Sequence, residues 1–294
     1  MKLQIIKYTK IWYLISIVVI VVGLGAGLLG GFNPGIDFSG GSMIHIDMEQ
    51  KIDLNKLQET IEEFELDESI ITVGKDNTEI MIKTSKPLSN EERTEIFNKV
   101  AGEYNLEYDN LLAADQFSAS VGEEIQKKAV IAVIIASVGI LIYITIRFEI
   151  KFAVAAIIAL LHDVLVMIAF YGLFRIPINS SFIAAILVIV GYSINDTIVI
   201  FDRIRENAHH YKKNRMEELV DTSINQSLTR SINTSLTALI AVLCVFILGV
   251  ESIREFTLPI IAGLIAGTYS SIFIASPIWY QLTNLSNKPH YVGK

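Results

Sequence analysis

Six apolar runs, each long enough to cross a bilayer, dominate this chain of 294 residues. They lie at about 11–31, 128–147, 152–174, 180–201, 231–250 and 256–281. A hydrocarbon layer about 30 Å thick takes about 20 residues of helix to cross, and every backbone polar group inside it must be satisfied internally. The runs therefore predict six transmembrane helices. Composition agrees: 52% of residues are hydrophobic and 19% charged, with a mean hydropathy of +0.48, values that point to a polytopic membrane protein. Lysines before the first run give it the order of a secretion signal, but it is longer than a cleavable apolar core and reads as a retained span.

Charge sorts the remainder. Residues 37–126 carry 21 acidic and 7 basic side chains, against 10 and 17 in the rest of the chain. Basic residues gather before span one (Lys2, Lys7, Lys10), between spans two and three (Arg147, Lys151) and after span four (Arg203, Arg205, Lys212, Lys213, Arg215). The loops between spans three and four and between five and six hold one each, Arg175 and Arg254. Basic short loops stay in the cytoplasm. Both termini are expected there, with the acidic insert on the outer face of a cell membrane. Nothing supports nucleic-acid binding, and Cys244, the single cysteine, excludes an internal disulfide.

Three regions follow: residues 1–35 with span one, an outer domain at 36–126, and spans two to six at 127–294. In the insert, strands are expected at 42–48, 69–73 and 79–84, and a final one near 106–112. Helices are expected at 53–64, capped by Asp53, and at 89–104, opened by the capping-box pair Ser89 and Glu92. A Gly-Lys-Asp-Asn turn at 74–77 joins the middle strands. The order β-α-β-β-α-β suggests a small ferredoxin-like α+β domain. "GIDFSGGS" (35–42) ties it to span one, with Gly35, Asp37, Gly40 and Gly41 expected to form a tight reversal at the membrane surface. Within a segment at about 203–230, Met216, Leu219, Val220, Ile224 and Leu228 share a helical face, which predicts an amphipathic helix lying along the cytoplasmic leaflet.

Ionisable residues inside the apolar runs are the functional candidates. A carboxylate at the bilayer centre costs at least about 2.5–3.5 kcal/mol, so such groups face the bundle interior and mark ion pathways. Asp196, beside Asn195 in "GYSINDTIVIFDRIREN" (191–207), lies roughly 9 Å inward from the charged segment that begins at Asp202. Arg230 opens span five from the same edge, followed by Ser231, Asn233, Thr234, Ser235 and Thr237, so the two charges are expected to meet. A carboxylate that makes and breaks such a pairing can take up and release a proton. Span three carries His162 and Asp163; neighbours point about 100° apart on a helix and cannot face one partner. Asp163 is the candidate for the relay. The glycines of spans one and six read as close helix packing.

The strings "GIDFSGGS", "RFEIKFAVAAIIALLHDV" (147–164), "GYSINDTIVIFDRIREN" and "NQSLTRSINTS" (225–235) resemble, in order and over nearly the whole chain, the SecF family of the bacterial SecDF protein-export complex, within the RND superfamily. The resemblance implies a partner, SecD, that supplies a second six-span half. It also implies assistance to SecA- and SecYEG-dependent export of unfolded preproteins, driven by a proton or sodium motive force. It assigns ion coupling to Asp196 and Arg230, with Asp163 added, among the supporting polar residues Ser193, Asn195, His162, Asn233 and Thr234. The outer domain resembles a P1-type region. No cofactor is implied. The rival readings are half of an RND-type efflux transporter for small molecules or lipids, and a passive scaffold. No Walker-type phosphate loop, nucleophile–base arrangement or metal-spaced cluster occurs, so an enzyme is not expected.

Overall fold

The computed structural model describes residues 3–66, 68–73, 78–212, 215–249 and 251–286. The expected turn at 74–77 and the basic residues Lys2 and Lys213 lie outside them. Six helices are long and apolar enough to span a membrane: Ile6–Gly30, Ala119–Arg147, Ile150–Phe174, Ser180–Ala208, Met216–Leu248 and Ile253–Leu285. With four antiparallel strands between the first and second, the fold class is the one expected.

Helix α1 (Thr9–Gly30) leads through the short α2 (Ile36–Ser39) into strand β1 (Gly41–Asp47). Helix α3 (Leu54–Ile61), strands β2 (Glu68–Val73) and β3 (Glu79–Thr84), helix α4 (Asn90–Tyr104) and strand β4 (Leu111–Phe117) complete the outer domain. The sheet order is β2-β3-β1-β4, the antiparallel arrangement of a ferredoxin-like fold. Alternation along β1 turns Ile44 and Ile46 inward, onto Leu57 and Ile61 of α3 and Ile96, Phe97 and Val100 of α4. Ser89 and Glu92 form the reciprocal capping box, and Asp53 accepts from the Asn55 N–H.

Two expectations are corrected. The final strand is Leu111–Phe117, not 106–112. Asn105 turns left-handed (φ 56°) to end α4, and a 3-10 turn over Tyr108–Asn110 consumes the residues before the chain can pair with β1. The amphipathic stretch after span four is not a separate helix lying on the leaflet. It forms the first turns of α8, which runs unbroken over Met216–Leu248. Its apolar face is covered by protein: Leu219, Val220 and Ile224 are buried against Ile5, Ile6, Phe201 and Ile204. The N-terminus is laced to the same turns, with Asp221 Oδ1 accepting the N–H groups of Ile5 and Ile6 and Asn225 bonding both backbone groups of Leu3.

The bundle is completed by α5 (Ala119–Arg147), α6 (Ile150–Phe174), α7 (Ser180–Ala208) and α9 (Glu251–Ser270). A π-helical turn, Ser271–Ala275, separates α9 from α10 (Ser276–Ser286). Helix α6 sits at the centre. Ala153, Ala155, Ala156, Ala159 and Ala169 on it are buried and let its neighbours approach. Span one packs glycine to backbone: a Cβ on Gly23 would lie 2.4 Å from the Ala169 carbonyl, and one on Gly27 3.0 Å from Gly172 Cα. Gly263 and Gly267 of α9 instead receive side chains of α7, those of Ile189 and Ser193. Close small-residue contacts are how helices associate where lipid removes the hydrophobic drive.

Candidate functional site

Asp163 and Asp196 are both buried, 1% and 3% exposed, where α6, α7, α8 and α9 converge. Neither has a Lys or Arg nitrogen within 4 Å among the described residues. Their ligands are hydroxyls. Asp163 Oδ2 accepts from Ser193 Oγ of α7 at 2.6 Å and from Ser270 Oγ of α9 at 2.9 Å. Its Oδ1 lies 3.0 Å from His162 Nδ1. Asp196 Oδ2 accepts from Ser235 Oγ of α8 at 2.9 Å, and Thr268 of α9 donates to that serine at 2.7 Å. One turn separates Ser193 from Asp196 on α7, so the two carboxylates belong to one polar layer.

His162 uses its other nitrogen. Nε2 lies 2.9 Å from Ser16 Oγ of span one, and Tyr269, stacked beside the imidazole at 5.8 Å, donates to the Trp12 carbonyl. The 100° offset between positions 162 and 163 is thus used to address two different neighbours: α1 on one side, α7 and α9 on the other. Thr197 and Ser271, 2.8 Å apart, extend the layer to the π turn, where the backbone ladder shifts and Ser276 Oγ donates to the Ser271 carbonyl. Such turns interrupt helices mostly at functional sites.

Arg230 does not join this layer. It is exposed on α8 and, among the described residues, has no carboxylate oxygen within 4 Å. The expected contact is replaced by the one Ser235 makes, because five helical residues place Arg230 about 140° round α8 from Ser235. Asn195 and Asn233 are exposed with it, while Thr234 is half-buried and its carbonyl accepts from the Tyr192 hydroxyl at 2.8 Å. Arg230, Asn195 and Asn233 are exposed polar side chains on a bundle surface rich in Leu, Ile and Val.

At the sheet-bearing end, "GIDFSGGS" acts as a docking loop. Asp37 Oδ2 accepts the Ser180 N–H at the start of α7, and the Gly35 N–H donates to the Ile178 carbonyl. Gly40 and Gly41 take φ of +81° and +146°, and a Cβ on Gly41 would stand 2.2 Å from the Thr84 carbonyl. Lys83 of β3 reaches both carboxylate oxygens of Glu255 on α9 at 3.3 Å, and Asn179 donates to Glu255 at 3.1 Å. These groups line a cavity of about 310 Å³ between domain and bundle.

Sequence reasoning missed Ser16, Thr268, Tyr269, Ser270 and Ser271. The string "TYSSIFIAS" (268–276), a cluster of hydroxyls in an apolar run, was the signal for the last four; Ser16, alone in span one, had none.

The model for the protein export membrane protein SecD/SecF, C-terminal family matches residues 100–285. The protein translocase subunit SecF of Sebaldella termitidis is 38% identical over 98% of this chain and 94% of its own length. The chain belongs to the SecF family. The SecDF subunit of Bacillus subtilis is 37% identical, but the chain covers only 37% of it. The crystal structure of SecDF from Thermus thermophilus, described as a translocon-associated membrane protein, superposes with a TM-score of 0.82 at 34% identity, over 98% of this chain and 39% of that one. A super-membrane-facing form of SecDF gives 0.72. The chain thus spans nearly the whole of the stand-alone SecF relative and about two fifths of SecDF, and it is a multi-pass membrane protein.

Proposed function

We propose that this SecF-family chain is an ion-driven subunit of protein export. With a SecD half it uses the proton or sodium motive force to drive outer steps of preprotein movement through SecYEG, after or alongside SecA. The observation that carries the reading is the pair of buried carboxylates with no Lys or Arg nitrogen within 4 Å among the described residues. Two uncompensated charges in a bundle core would be costly, whereas carboxyls that bind and release an ion there are the means by which a gradient does work. One elementary charge crossing 100 mV yields about 2.3 kcal/mol, enough to bias a domain motion. Asp196 and Asp163 bind the ion. Arg230, with Asn195 and Asn233, presents a polar membrane face that a second six-span half would cover, and a cation there attracts a partner carboxylate. The basic loops put both termini in the cytoplasm and the ferredoxin-like domain outside, beside the emerging chain.

Asp196→Asn keeps the shape and the Ser235 contact but removes the titratable group. It should abolish the gradient-dependent component of secretion of a reporter while the two-subunit complex purifies at its normal level. Arg230→Ala should impair export likewise. Unchanged gradient-dependent export in Asp196→Asn would leave only a scaffold.

A further inference from the structure

Span one leads directly into the outer domain, and most of its surface faces away from the bundle. Its buried residues are Thr9, Ser16, Gly23 and Gly27, and the rest of its surface is largely lipid-type side chain. Gly23 and Gly27 fix its distance from α6 by backbone contact, without regard to any ion. Among the described residues, the short side-chain bond from α1 to the carboxylate layer is Ser16 to His162, at 2.9 Å, with a longer one from Ser16 to Tyr269 at 3.5 Å.

The polarity of that bond is set by Asp163. An ionised carboxylate only accepts, so the Nδ1 proton of a neutral imidazole points at Oδ1 and Nε2 is left to accept the Ser16 hydroxyl. If a proton from the aqueous phase arrives at Nε2, the Nδ1 proton can pass to Asp163 Oδ1. The carboxyl is then neutral, the imidazole is neutral with its proton on Nε2, and one proton has been taken up. Nε2 is now a donor, and Ser16 must turn its own proton away. Its neighbour is the Tyr269 hydroxyl, 3.5 Å distant. An approach of span one and α9 would close that gap to a good O–H···O length near 2.7–2.8 Å. They flank a groove of about 340 Å³ lined by Ser16, His162, Val166, Phe170, Ala266 and Tyr269, so there is space for it.

We propose that His162 is a positioning residue that transmits proton uptake at Asp163 to span one through Ser16, and through span one to the outer domain. The inference rests on the ion-driven reading above. Among the described residues, the titratable groups facing the pair are Tyr269 on α9 and, one turn from Ser193 on α7, Asp196. α1 contributes Ser16 and, one turn before it, the part-buried Tyr13.

The test uses the complete complex with SecD in vesicles, spin-labelled at Glu95→Cys and His210→Cys in a Cys244→Ser background, so that one distance joins the outer domain to the opposite end of the bundle. Two quantities are read as pH is stepped: that distance, and the carboxylic-acid C=O band that Asp163→Asn removes from the infrared difference spectrum. Wild type should show both changes. Ser16→Ala should keep the band and lose the distance change, and Ser16→Thr should regain it. A full distance change in Ser16→Ala overturns the proposal, as does loss of the band in that variant, since the serine would then belong to Asp163's own titration. If wild type shows neither change, the ion-driven reading itself fails, and the proposal falls with it.

Discussion

The ion pair between Lys83 and Glu255 is where the outer sheet grips the membrane bundle, and its strength can be worked out. Nζ lies 3.3 Å from both oxygens, and the side chains are 23% and 25% exposed. With an effective dielectric near 20, unit charges at that separation attract by about 5 kcal/mol before desolvation is charged against them. Exposed pairs net about 0.2–1 kcal/mol, and hydrogen bonds to charged groups about 1.5–3 kcal/mol. A partly buried bidentate contact falls between, at about 1–2 kcal/mol, or roughly 5–30-fold in the docking equilibrium. Lys83→Met should leave the outer domain folded but raise hydrogen exchange at its membrane-facing elements by that factor, and should lower export. Lys83→Glu with Glu255→Lys should restore both in part only, because the Asn179 oxygen already caps α7 at the Phe182 N–H and its amide nitrogen would face the new lysine. A double-mutant cycle on the exchange rates isolates the pair from its neighbours. Additive single effects with no recovery in the swap would show that the contact does not hold the domain in place.

Three further outcomes follow from packing and charge. Phe97, 2% exposed in the outer core, should cost about 3–5 kcal/mol when cut to alanine, read as loss of exchange protection in β1 and β3 while the spans stay protected. Gly267→Leu should lower the thermal stability of the detergent-purified protein, because a Cβ there stands 2.9 Å from Ser193 Cβ, whereas Gly139, with nothing within 4 Å, should accept alanine without loss. Glu92 is held below the usual carboxylate range by the Ser89 backbone N–H, and Glu103 by its bond to Lys56. Carboxylates with depressed values stabilise the fold above the ordinary carboxylate range and lose that contribution as pH falls through their folded values. Acid titration of the outer domain should therefore show stability declining below that range, with Glu92→Gln flattening part of the slope.

The sequence made the carboxylates legible for a simple reason. An ionisable side chain in an apolar run is costly, so its presence stands out whatever the fold. Hydroxyls carry no such mark. Ser16, Thr268 and Ser270 barely alter the hydropathy of their spans; only the packing of α9 against α6, α7 and α8 shows that Thr268 and Ser270 converge on Asp196 and Asp163, and only that of α1 on α6 brings Ser16 to His162. Arg230 was misplaced by the same lack of a third dimension: its depth on span five could be counted in residues, but its azimuth depended on which face of α8 meets α7. The strand order of the outer domain was readable from alternation and capping because both are local. The place of β4 was not, because the left-handed Asn105 and the 3-10 turn after it are set by pairing with β1. The amphipathic face of Met216–Leu228 was real, but an apolar stripe does not say whether lipid or protein covers it, and here Ile5, Ile6 and Phe201 do.

The absence of a guanidinium within 4 Å of either carboxylate, among the described residues, changes what the site is built to do. An arginine has only donors and keeps its charge, so a carboxylate locked to it is held ionised. A serine or threonine hydroxyl donates to a carboxylate and can equally accept from a carboxylic acid, by rotation about a single bond. Ser193, Ser235 and Ser270 can therefore satisfy both states of their carboxyls without any helix having to leave, while Asp163 and Asp196 remain sealed from lipid. Imidazole shares this ambivalence, with the difference that changing one nitrogen's role changes the other's, and that other nitrogen bonds a different helix. Helix α9 supplies a hydroxyl to each carboxylate system, Ser270 to Asp163 and Thr268 through Ser235 to Asp196, and carries Glu255 about 22 Å further along the same rod. The carboxylate layer and the ion pair that anchors the outer domain thus share one helix, with the π turn marking the end where its backbone ladder is already broken.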